Sequence, residues 1–464
     1  MSGAGLAAPL LPRLLAEETG RRIRPAGPAS KYVPRVQAAF VRRKGPYGMR
    51  WPGAIYDGKT AEVDYRRQAE AAASELGIDL EIREQPIHSN TEADAWISQA
   101  RGQKPDGLLL LLLDRQEHTW PTVWKAVESG IPTVVFSPIG TAFTTNTAKL
   151  AHRDGIHICS TSDFRQAAFG LKMIRAAALL REMRFVVLRG SERRDTRIDR
   201  IGTRLRYVPA QDFLDEYLRT SDTEEIRRTA ARYIKHATAI HGPSEQDVLN
   251  GVKSYLVAGK ILEREEGDGI TMDCLGALGH TKVSLPCISW SAMNDEGIPA
   301  ACEADLGACV THALVQYLFD RPGFQQDPVP ETARDCLVGA HCTCPTRLRG
   351  WKEPPEPYLL SFHHGKRDAV PVPRWRVGER VTVADVIVGN AKHPKPRMII
   401  SSGKVADNVS VPPAGGCVVS VMLELDGRPS ILDYPGFHHI FFYGDFKWKL
   451  TSYCQLFGIE PLVV

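Results

Sequence analysis

Apolar and polar positions along the first part of the chain alternate between the period of a strand and the period of a helix. The apolar run 36–41 predicts a first strand, apolar positions three and four apart over 61–76 predict a helix, and 107–113 predicts a buried strand. Further predicted segments of both kinds continue to residue 136. Because strands that alternate with helices pair in parallel through crossovers, this region predicts a doubly wound parallel sheet.

A second strand–helix series follows, and then the pattern changes. Strands at 185–188 and 269–273 and long helices at 224–236 and 245–263 predict another α/β domain. Beyond Pro322 the chain offers short β-like segments punctuated by proline and glycine, which favours a small barrel or sandwich. We therefore predict an α/β protein with two doubly wound parallel-sheet domains followed by a β-rich C-terminal domain. The predicted divisions are an N-terminal arm 1–33, an N-terminal α/β domain 34–165, a central α/β domain 166–325 and a β-rich C-terminal domain 326–464.

Composition narrows the class of protein and its partners. The chain has 58 basic and 54 acidic side chains scattered among one another, so nucleic acid is not an expected partner. Its longest apolar run, the six leucines 108–113, is far shorter than the roughly 20 residues of a spanning helix, so no membrane contact is expected. Ten cysteines without a convincing export signal indicate thiols in a reducing compartment, and we expect a cytoplasmic protein.

Carboxylates lie at the ends of predicted strands in the second half of the chain. Asp273 closes the strand 269–273, and Glu303 and Asp305 stand just before or at the start of the predicted helix 305–319. An acidic pair at a helix start is typical of capping, in which a carboxylate accepts hydrogen bonds from the first backbone N–H groups. Capping is therefore the ordinary interpretation of this pair, and metal binding is the functional one.

Histidines follow in the predicted C-terminal domain. His341 lies beside Cys342 and Cys344, but the paired cysteine spacing of zinc ribbons is missing, so zinc held by these cysteines is not expected. His438 and His439 are adjacent in sequence. In a strand they point to opposite faces, so one of them at most can serve a given site.

Another histidine pair, His363 and His364, precedes Gly365 and Lys366 in what resembles an exposed loop. The same ambiguity applies to it, and we expect His363 to have little effect on function. Taken together, the carboxylates and histidines of this half are ligands that suit a Mn2+, Co2+ or Mg2+ ion better than a thiolate site does.

The C-terminal segment resembles a known family. Gly436, Phe437, His438 and His439, then a β-like stretch, a helix and the ending 457–460, resemble the end of the L-arabinose isomerase and L-fucose isomerase superfamily. In that family the second histidine of the pair binds the metal. The resemblance therefore implies that His439 is a metal ligand.

Other stretches resemble the same superfamily in the same order. The stretch 302–305 is similar to its Glu-x-Asp element, and 339–345 is similar to its Gly-x-His element that ends in Cys-Pro, so Glu303 and His341 are implied as ligands. Arabinose isomerases carry a further glutamate upstream of Glu-x-Asp. This chain departs from them by offering Asp273 at the nearest equivalent place.

The resemblance implies an enzyme of the intramolecular oxidoreductase class, a metal-dependent aldose–ketose isomerase that works through an enediol. Its substrate would be a small neutral sugar of the L-fucose, L-arabinose or D-arabinose type. Glu303 and Asp273 are the candidates that pass the proton, and they would hold Mn2+ (or Co2+ or Mg2+) together with His341 and His439.

Sugar contacts and assembly are also implied. The stretch 118–124 is similar to an N-domain element whose histidine reaches a substrate bound by a neighbouring subunit, which implies that role for His118. Asn294 and Trp290 are further candidates for contacts with the sugar. Active sites shared in this way predict a homotrimer or homohexamer.

Two alternatives stay open at the level of sequence. The same metal and acid–base pair could serve an epimerase or a related proton-transfer enzyme on a modified sugar, since the fold does not fix the substrate. The strand–helix series that ends at 130–135 would also suit a non-catalytic sugar-binding protein. A dinucleotide-dependent oxidoreductase is disfavoured because no Gly-x-Gly-x-x-Gly turn follows a predicted strand.

Overall fold

The described chain packs as two compact units. A computed structural model describes residues 23–50, 55–115, 117–363, 367–390, 392–409, 417–427 and 430–464. Unit 1 comprises Tyr32–Leu179 and Thr451–Glu460, and unit 2 comprises Leu180–Leu450, Pro461–Val464 and the described residues 23–31. Most of the predicted arm 1–33 lies outside the described residues. The units divide the chain by packing, so the predicted domain bounds at 165 and 325 stay predictions.

Unit 1 is built on a five-stranded parallel sheet. The strands of this part of the chain are β1 (Arg35–Val41), β2 (Gly48–Arg50), β3 (Ile55–Asp57), β4 (Asp79–Ile82), β5 (Gly107–Leu112), β6 (Thr133–Ser137) and β7 (Ile156–Ser160), and five of them form the sheet. The helices of this part of the chain are α1 (Gly58–Leu76), α2 (Asn90–Gln103), α3 (Thr119–Glu128), α4 (Thr144–Thr147) and α5 (Arg165–Glu182). The sheet has the order β4-β1-β5-β6-β7, and every neighbouring pair in it is parallel. Strands β2 and β3 form a separate antiparallel pair.

The leucine run of β5 lies at the centre of this sheet and is buried on both faces. Leu108, Leu110 and Leu112 belong to one core cluster with Trp96 of α2 and Trp120 of α3. The leucines between them are equally buried. Since successive side chains of a strand point to opposite faces, β5 is covered on both sides, as a parallel sheet requires.

Unit 2 contains a second, mostly parallel sheet. The strands of this part of the chain are β8 (Arg184–Leu188), β9 (Arg194–Arg197), β10 (Arg204–Val208), β11 (Ile240–His241), β12 (Gly269–Met272) and β13 (Ala300–Cys302), and all of them except β11 belong to this sheet. The helices are α6 (Gln211–Arg219), α7 (Glu224–His236), α8 (Glu245–Arg264), α9 (Cys274–Leu278), α10 (Cys287–Asp295) and α11 (Leu306–Phe319). The order is β13-β12-β8-β10-β9, in which only the edge strand β9 is antiparallel to its neighbour.

The rest of unit 2 is β-rich and includes a closed barrel. The elements from here to the C-terminus are β14 (Phe324–Glu331), β15 (Cys336–His341), β16 (Tyr358–His363), β17 (Arg367–Pro373), β18 (Arg380–Ile387), β19 (Arg397–Asn408), β20 (Val419–Leu425), β21 (His439–Tyr443), α12 (Lys447–Phe457) and β22 (Glu460–Val463). Six strands pair in the cycle β18-β21-β14-β15-β20-β19, and β19 pairs back with β18. Strands β11, β16 and β17 form a smaller sheet.

This architecture confirms the predicted α/β class with parallel sheets and a β-rich C-terminal part. Within the described chain, no helix is long and apolar enough to cross a membrane. Strands β12 and β13 are neighbours in the parallel sheet of unit 2, with Met272 opposite Cys302. The residues just after them therefore meet at the carboxyl edge of the sheet, where open α/β folds bind their ligands.

Candidate metal centre

Three side chains from separate elements of unit 2 converge after strand β13. Glu303 directly follows β13, His341 ends β15, and His438 directly precedes β21. One ligand atom from each of these residues lies within 4.8 Å of the others. Nε2 of His341 is 3.8 Å from Oε1 of Glu303, and Nε2 of His438 is 3.4 Å from its Oε2. The parallel sheet and the barrel thus each contribute to one group of donors.

The backbone at Glu303 is unusual for residues other than glycine. Glu303 and Ala304 have φ values of 62° and 54°, in the left-handed region that side chains with a Cβ rarely adopt. The Cys302 N–H donates to Oε1 of Gln325 at 2.8 Å, and the Ala304 N–H donates to the Met272 carbonyl at 3.1 Å. These bonds hold the strained turn. The hydrogen bond with His438 lowers the pKa of Glu303 against the opposing effect of burial, so its carboxyl group is ionised.

His438 is surrounded by carboxylates. Its Nδ1 lies 3.0 Å from Oδ2 of Asp305, and its Nε2 lies 3.2 Å from Oδ1 of Asp327. Burial lowers the pKa of His438, but the hydrogen bond to Asp305 and the neighbouring carboxylates of Asp327 and Glu303 outweigh that effect and raise it to about 11. His438 is therefore protonated, and its positive charge lies among the carboxylates of Asp305, Asp327 and Glu303.

Asp305 has two structural partners. It caps α11 by accepting a hydrogen bond from the Ala308 N–H at 2.8 Å, and its other oxygen accepts from His438. Burial raises the pKa of Asp305, but the bonds from His438 and Ala308 outweigh it and hold the pKa below its ordinary value. Nearby Asp385 differs, because burial and the charge of Asp305 raise its pKa to about 7.

Asp327 belongs to the same group and was missed by the sequence analysis. It lies in β14, opposite Ala340 of β15, and its carboxylate is about one third exposed. Pro328 and Pro330 interrupt the alternating pattern of this segment, so it was not predicted as a strand. The sequence carries no local signal for Asp327, because only the pairing of β14 with β15 brings it close to His341.

His341 supplies a neutral nitrogen. Its side chain is buried, and burial lowers its pKa to about 4. Among the described residues, Nε2 of His341 has no hydrogen-bond partner. A buried, unprotonated imidazole nitrogen without a partner is suited to bind a metal ion.

The donor set fits a divalent ion. Glu303 and Asp327 offer carboxylate oxygens, and His341 and His438 offer imidazole nitrogens. Oδ1 of Asp327 lies 3.2 Å from Nε2 of His438, so an ion held between these two atoms would take the place of the proton that His438 carries. Carboxylate and imidazole together favour Mn2+, Co2+ or a related ion over a thiolate-seeking one.

The structure brings His438 to this group instead of the predicted ligand His439. The ring of His439 is buried on the other side, where its Nε2 donates to the Pro435 carbonyl at 2.7 Å and its face packs against Tyr434. The two rings diverge because His438 lies just before β21 with a left-handed backbone (φ 60°), whereas His439 is the first residue of the strand. Gly436 permits this arrangement, since a Cβ there would lie 2.8 Å from Nε2 of His439.

Asp273 is the other predicted ligand that the structure keeps out of the donor group. It follows β12 and caps α9 by accepting a hydrogen bond from the Gly276 N–H at 3.2 Å. Glu303 follows the neighbouring strand β13, whose last residue Cys302 is opposite Met272 of β12. The capping interpretation accounts for Asp273, whereas it accounts for only part of Asp305.

The predicted sugar contacts have structural roles in the described chain. Asn294 is buried and its amide bonds the carbonyls of Trp290 and Ala300 at 2.9 and 2.8 Å, which ties α10 to β13. Trp290 is fully buried in the core of unit 2. His118 belongs to unit 1, where it precedes α3 and its Nε2 lies 3.3 Å from the Arg42 carbonyl. The sugar contacts predicted for these three residues stay predictions.

The expectation of an exposed loop at His363 is also wrong. His363 ends β16 and is 7% exposed. His364, Gly365 and Lys366 lie outside the described residues. His363 was expected to be exposed because charged and glycine residues follow it, but the strand carries its side chain into the interior.

Comparison with known proteins gives matches only among solved structures. Neither a family model nor a curated protein matches this sequence. The chain is similar to a periplasmic solute-binding protein of an ABC transporter from Actinobacillus succinogenes 130z with bound D-allose, at 11% identity and a TM-score of 0.20, over 61% of this chain and 91% of that one. It is also similar to a solute-binding protein from Burkholderia multivorans (13% identity, TM-score 0.19, 63% and 95% covered). A sugar-binding protein of a sugar ABC transporter from Bacillus halodurans matches at 16% identity and a TM-score of 0.17, with 65% and 91% covered.

These matches correct the predicted function. The sequence predicted an aldose–ketose isomerase, whereas each solved structure named above is a solute-binding or sugar-binding protein. The isomerase prediction is therefore set aside, and the resemblance to the isomerase superfamily stays a prediction.

Proposed function

We propose that this protein binds a small sugar through a divalent metal ion held by Glu303, Asp327, His341 and His438. The observation that carries the proposal is the convergence of their donor atoms at a place open to solvent. The carboxylates of Glu303 and Asp327 are 36% and 34% exposed, while the two imidazoles are buried. A ligand from solution can therefore reach the oxygen side of the group.

The ion's chemistry explains why a sugar is the proposed ligand. A Mn2+ or Co2+ ion held here would supply positive charge to hydroxyl oxygens, which are hard neutral ligands of the kind these ions accept. Three carboxylates, those of Glu303, Asp305 and Asp327, surround His438. Their negative charge opposes the approach of phosphate or carboxylate groups, so a neutral sugar fits better than an acidic one.

An exposed aromatic ring stands beside the donor group. Phe437 is 58% exposed, and its ring centroid lies 4.6 Å from that of His438. Sugars have C–H faces that pack on aromatic rings and hydroxyls that bind polar groups. An exposed aromatic ring beside a polar donor group can therefore contact both parts of a sugar. Phe437 therefore supplies the apolar contact of the proposed site.

The experiment is a calorimetric titration of the chelator-treated protein. L-arabinose, L-fucose, D-arabinose and D-allose are titrated with Mn2+ present and again with the chelator present, using wild type and His438→Asn. We expect sugar binding only in wild type with Mn2+. Asp273→Asn serves as the matched control, because Asp273 caps a neighbouring helix without joining the donor group. Equal sugar binding in the chelator, or Mn2+ binding without heat from any sugar, would contradict the proposal.

A proton-transfer reaction on the bound sugar is a second candidate, and the strained backbone of Glu303 favours it. Consecutive positive φ values at Glu303 and Ala304 carry a free-energy penalty of about 1–3 kcal/mol each, and such strain gathers at functional sites. Its ionised, half-exposed carboxylate could remove a proton from the carbon beside a sugar carbonyl. Return of a proton to the opposite face of that carbon would make the reaction an epimerisation.

This candidate is tested by deuterium exchange. Each sugar that binds is incubated with the Mn2+-loaded protein in D2O, and the recovered sugar is examined by NMR and mass spectrometry. Deuterium at the carbon beside the carbonyl and appearance of the epimer support the reaction, provided that Glu303→Gln retains sugar binding and loses exchange. Sugar binding without exchange in wild type would leave a binding protein and exclude the reaction for those sugars.

A further inference from the structure

A second group of potential metal ligands lies in unit 2, and it consists of different residues from the first group. Cys287, Cys342 and His363 each offer one ligand atom, and these atoms lie within 4.8 Å of one another. All three side chains are buried. We infer that they form a site for a thiolate-preferring ion of the Zn2+ class, independent of the proposed sugar function.

Three elements that are distant in sequence bring these residues together. Cys287 is the first residue of α10, Cys342 directly follows β15, and His363 ends β16. The β16–β17 pairing shifts register between Phe362 and His363. A bulge of this kind re-aims one side chain, here toward the two thiols, and bulges recur next to functional sites.

Cys287 is the first residue of α10, and its thiol is buried. Burial raises the pKa of this thiol to about 11, so a bound ion would have to displace its proton. The Cys287 thiol is also in hydrogen-bond contact with the Cys342 thiol. Two sulfurs in contact are close to the spacing that one tetrahedral ion imposes, since ligands at zinc distances lie about 3.6–3.8 Å apart.

Cys417 can complete the set of four ligands. Its thiol is in hydrogen-bond contact with that of Cys342, and its side chain is partly exposed. Structural zinc sites are closed by four protein ligands, commonly three cysteines and one histidine. Cys287, Cys342, Cys417 and His363 have that composition. The partly exposed Cys417 also gives the ion a route from solvent.

The two groups differ in the ions they favour. The first offers carboxylates and imidazoles, and the second offers thiolates with one imidazole, so softer ions partition to the second. They are adjacent, because Sγ of Cys342 lies 3.8 Å from Nδ1 of His341. Sequence spacing did not reveal the second group, since the cysteines it uses are far apart in the chain and Cys344 is not among them.

The test is a Co2+ titration of the full chain, reduced with a non-thiol reductant and stripped with a chelator. Thiolate ligands give sulfur-to-cobalt charge-transfer absorption in the near ultraviolet, which carboxylate and imidazole ligands do not give. We expect this absorption in wild type, its loss in Cys287→Ser and Cys342→Ser, and a weakened signal in His363→Ala. Added Zn2+ should remove the absorption by displacing Co2+.

Two controls separate this site from the first. Cys336→Ser alters the opposite end of β15, so it should keep the absorption, and Glu303→Gln should keep it while losing an ion at the first site. Absence of charge-transfer absorption in wild type at saturating Co2+ would overturn the inference without any variant. Absorption that persists in both Cys287→Ser and Cys342→Ser would place the thiolate site elsewhere and overturn it as well.

Discussion

Nδ1 of His438 donates to Oδ2 of Asp305 at 3.0 Å, and the same aspartate caps helix α11. One carboxylate thus fixes both the start of a helix and the orientation of an imidazole. Metal-binding histidines commonly donate their second nitrogen to a carboxylate, which sets the ring's direction and strengthens the ligand. The two interpretations of Asp305 that the sequence left open are therefore compatible in one residue.

Asp305→Asn should weaken metal binding while preserving the helix cap. Asparagine caps helices about as well as aspartate, so the free energy of unfolding should change by less than about 1 kcal/mol. The loss of the charged partner of His438 should lower Mn2+ affinity about 10- to 100-fold. Calorimetric titration and urea unfolding measure the two effects. Asp273→Asn makes the same change at a cap outside the donor group, so an equal loss of Mn2+ affinity there would contradict the assignment.

Substitution of His438 should lower Mn2+ affinity, whereas substitution of the adjacent His439 should lower stability. His438→Asn removes a ligand but suits the left-handed backbone at that position, where φ is 60°, so Mn2+ affinity should fall by more than about 100-fold in a folded protein. His439→Ala removes a buried ring and its bond to Pro435, so it should cost about 3 kcal/mol of unfolding free energy with little effect on Mn2+ affinity. Intact Mn2+ binding in His438→Asn together with its loss in a folded His439→Ala would reverse the assignment.

Much of the fold could be predicted because periodicity is strong in its longer elements. Helix α7 has the predicted bounds, 224–236. Helix α10 was missed because it is buried around most of its circumference and so shows no polar face. Strand β14 was missed because its prolines break the alternation. The local pattern of apolar and polar residues therefore fails to predict a helix that is buried on most sides, or a barrel strand that contains prolines.

The site was only partly predictable, for a geometric reason. Glu303 and His341 were found because their motifs are local. The choice between His438 and His439 depends on where β21 begins, and a shift of one residue exchanges the two faces. Asp327 reaches the group only through the pairing of β14 with β15. Strand phase and pairing are properties of the folded sheet, and a short motif does not contain them.

Phe437→Ala should lower sugar affinity without changing metal affinity. The ring contributes apolar contact beside the donor group and holds no ligand atom, so its removal should reduce sugar affinity about fivefold, or about 1 kcal/mol. Titrations of sugar and of Mn2+ measure the two affinities separately. Leu432→Ala removes another exposed apolar side chain and is the control. Unchanged sugar affinity in Phe437→Ala would exclude the aromatic platform.

Acid should destabilise the protein partly through His157 in unit 1. This histidine lies in the edge strand β7, and burial lowers its pKa from 6.5 to about 4. Between these pH values the unfolded chain binds the proton more readily than the folded one, so stability is full above about 6.5 and falls as the pH decreases toward 4. The contribution of this residue to that fall is at most about 3 kcal/mol.

His157→Leu isolates this contribution, because a buried leucine cannot take up a proton. Urea unfolding at several pH values between 4 and 7 should give a shallower loss of stability in His157→Leu than in wild type, while the values near pH 7 differ only by packing. Nε2 of His157 has no hydrogen-bond partner in the part of the chain that the structure describes, so its removal leaves no polar group stranded. The exposed His236 provides the control, since His236→Gln should keep the wild-type slope. Parallel curves for His157→Leu and wild type would show that the proton is taken up elsewhere, with the buried carboxylates as the next groups to replace.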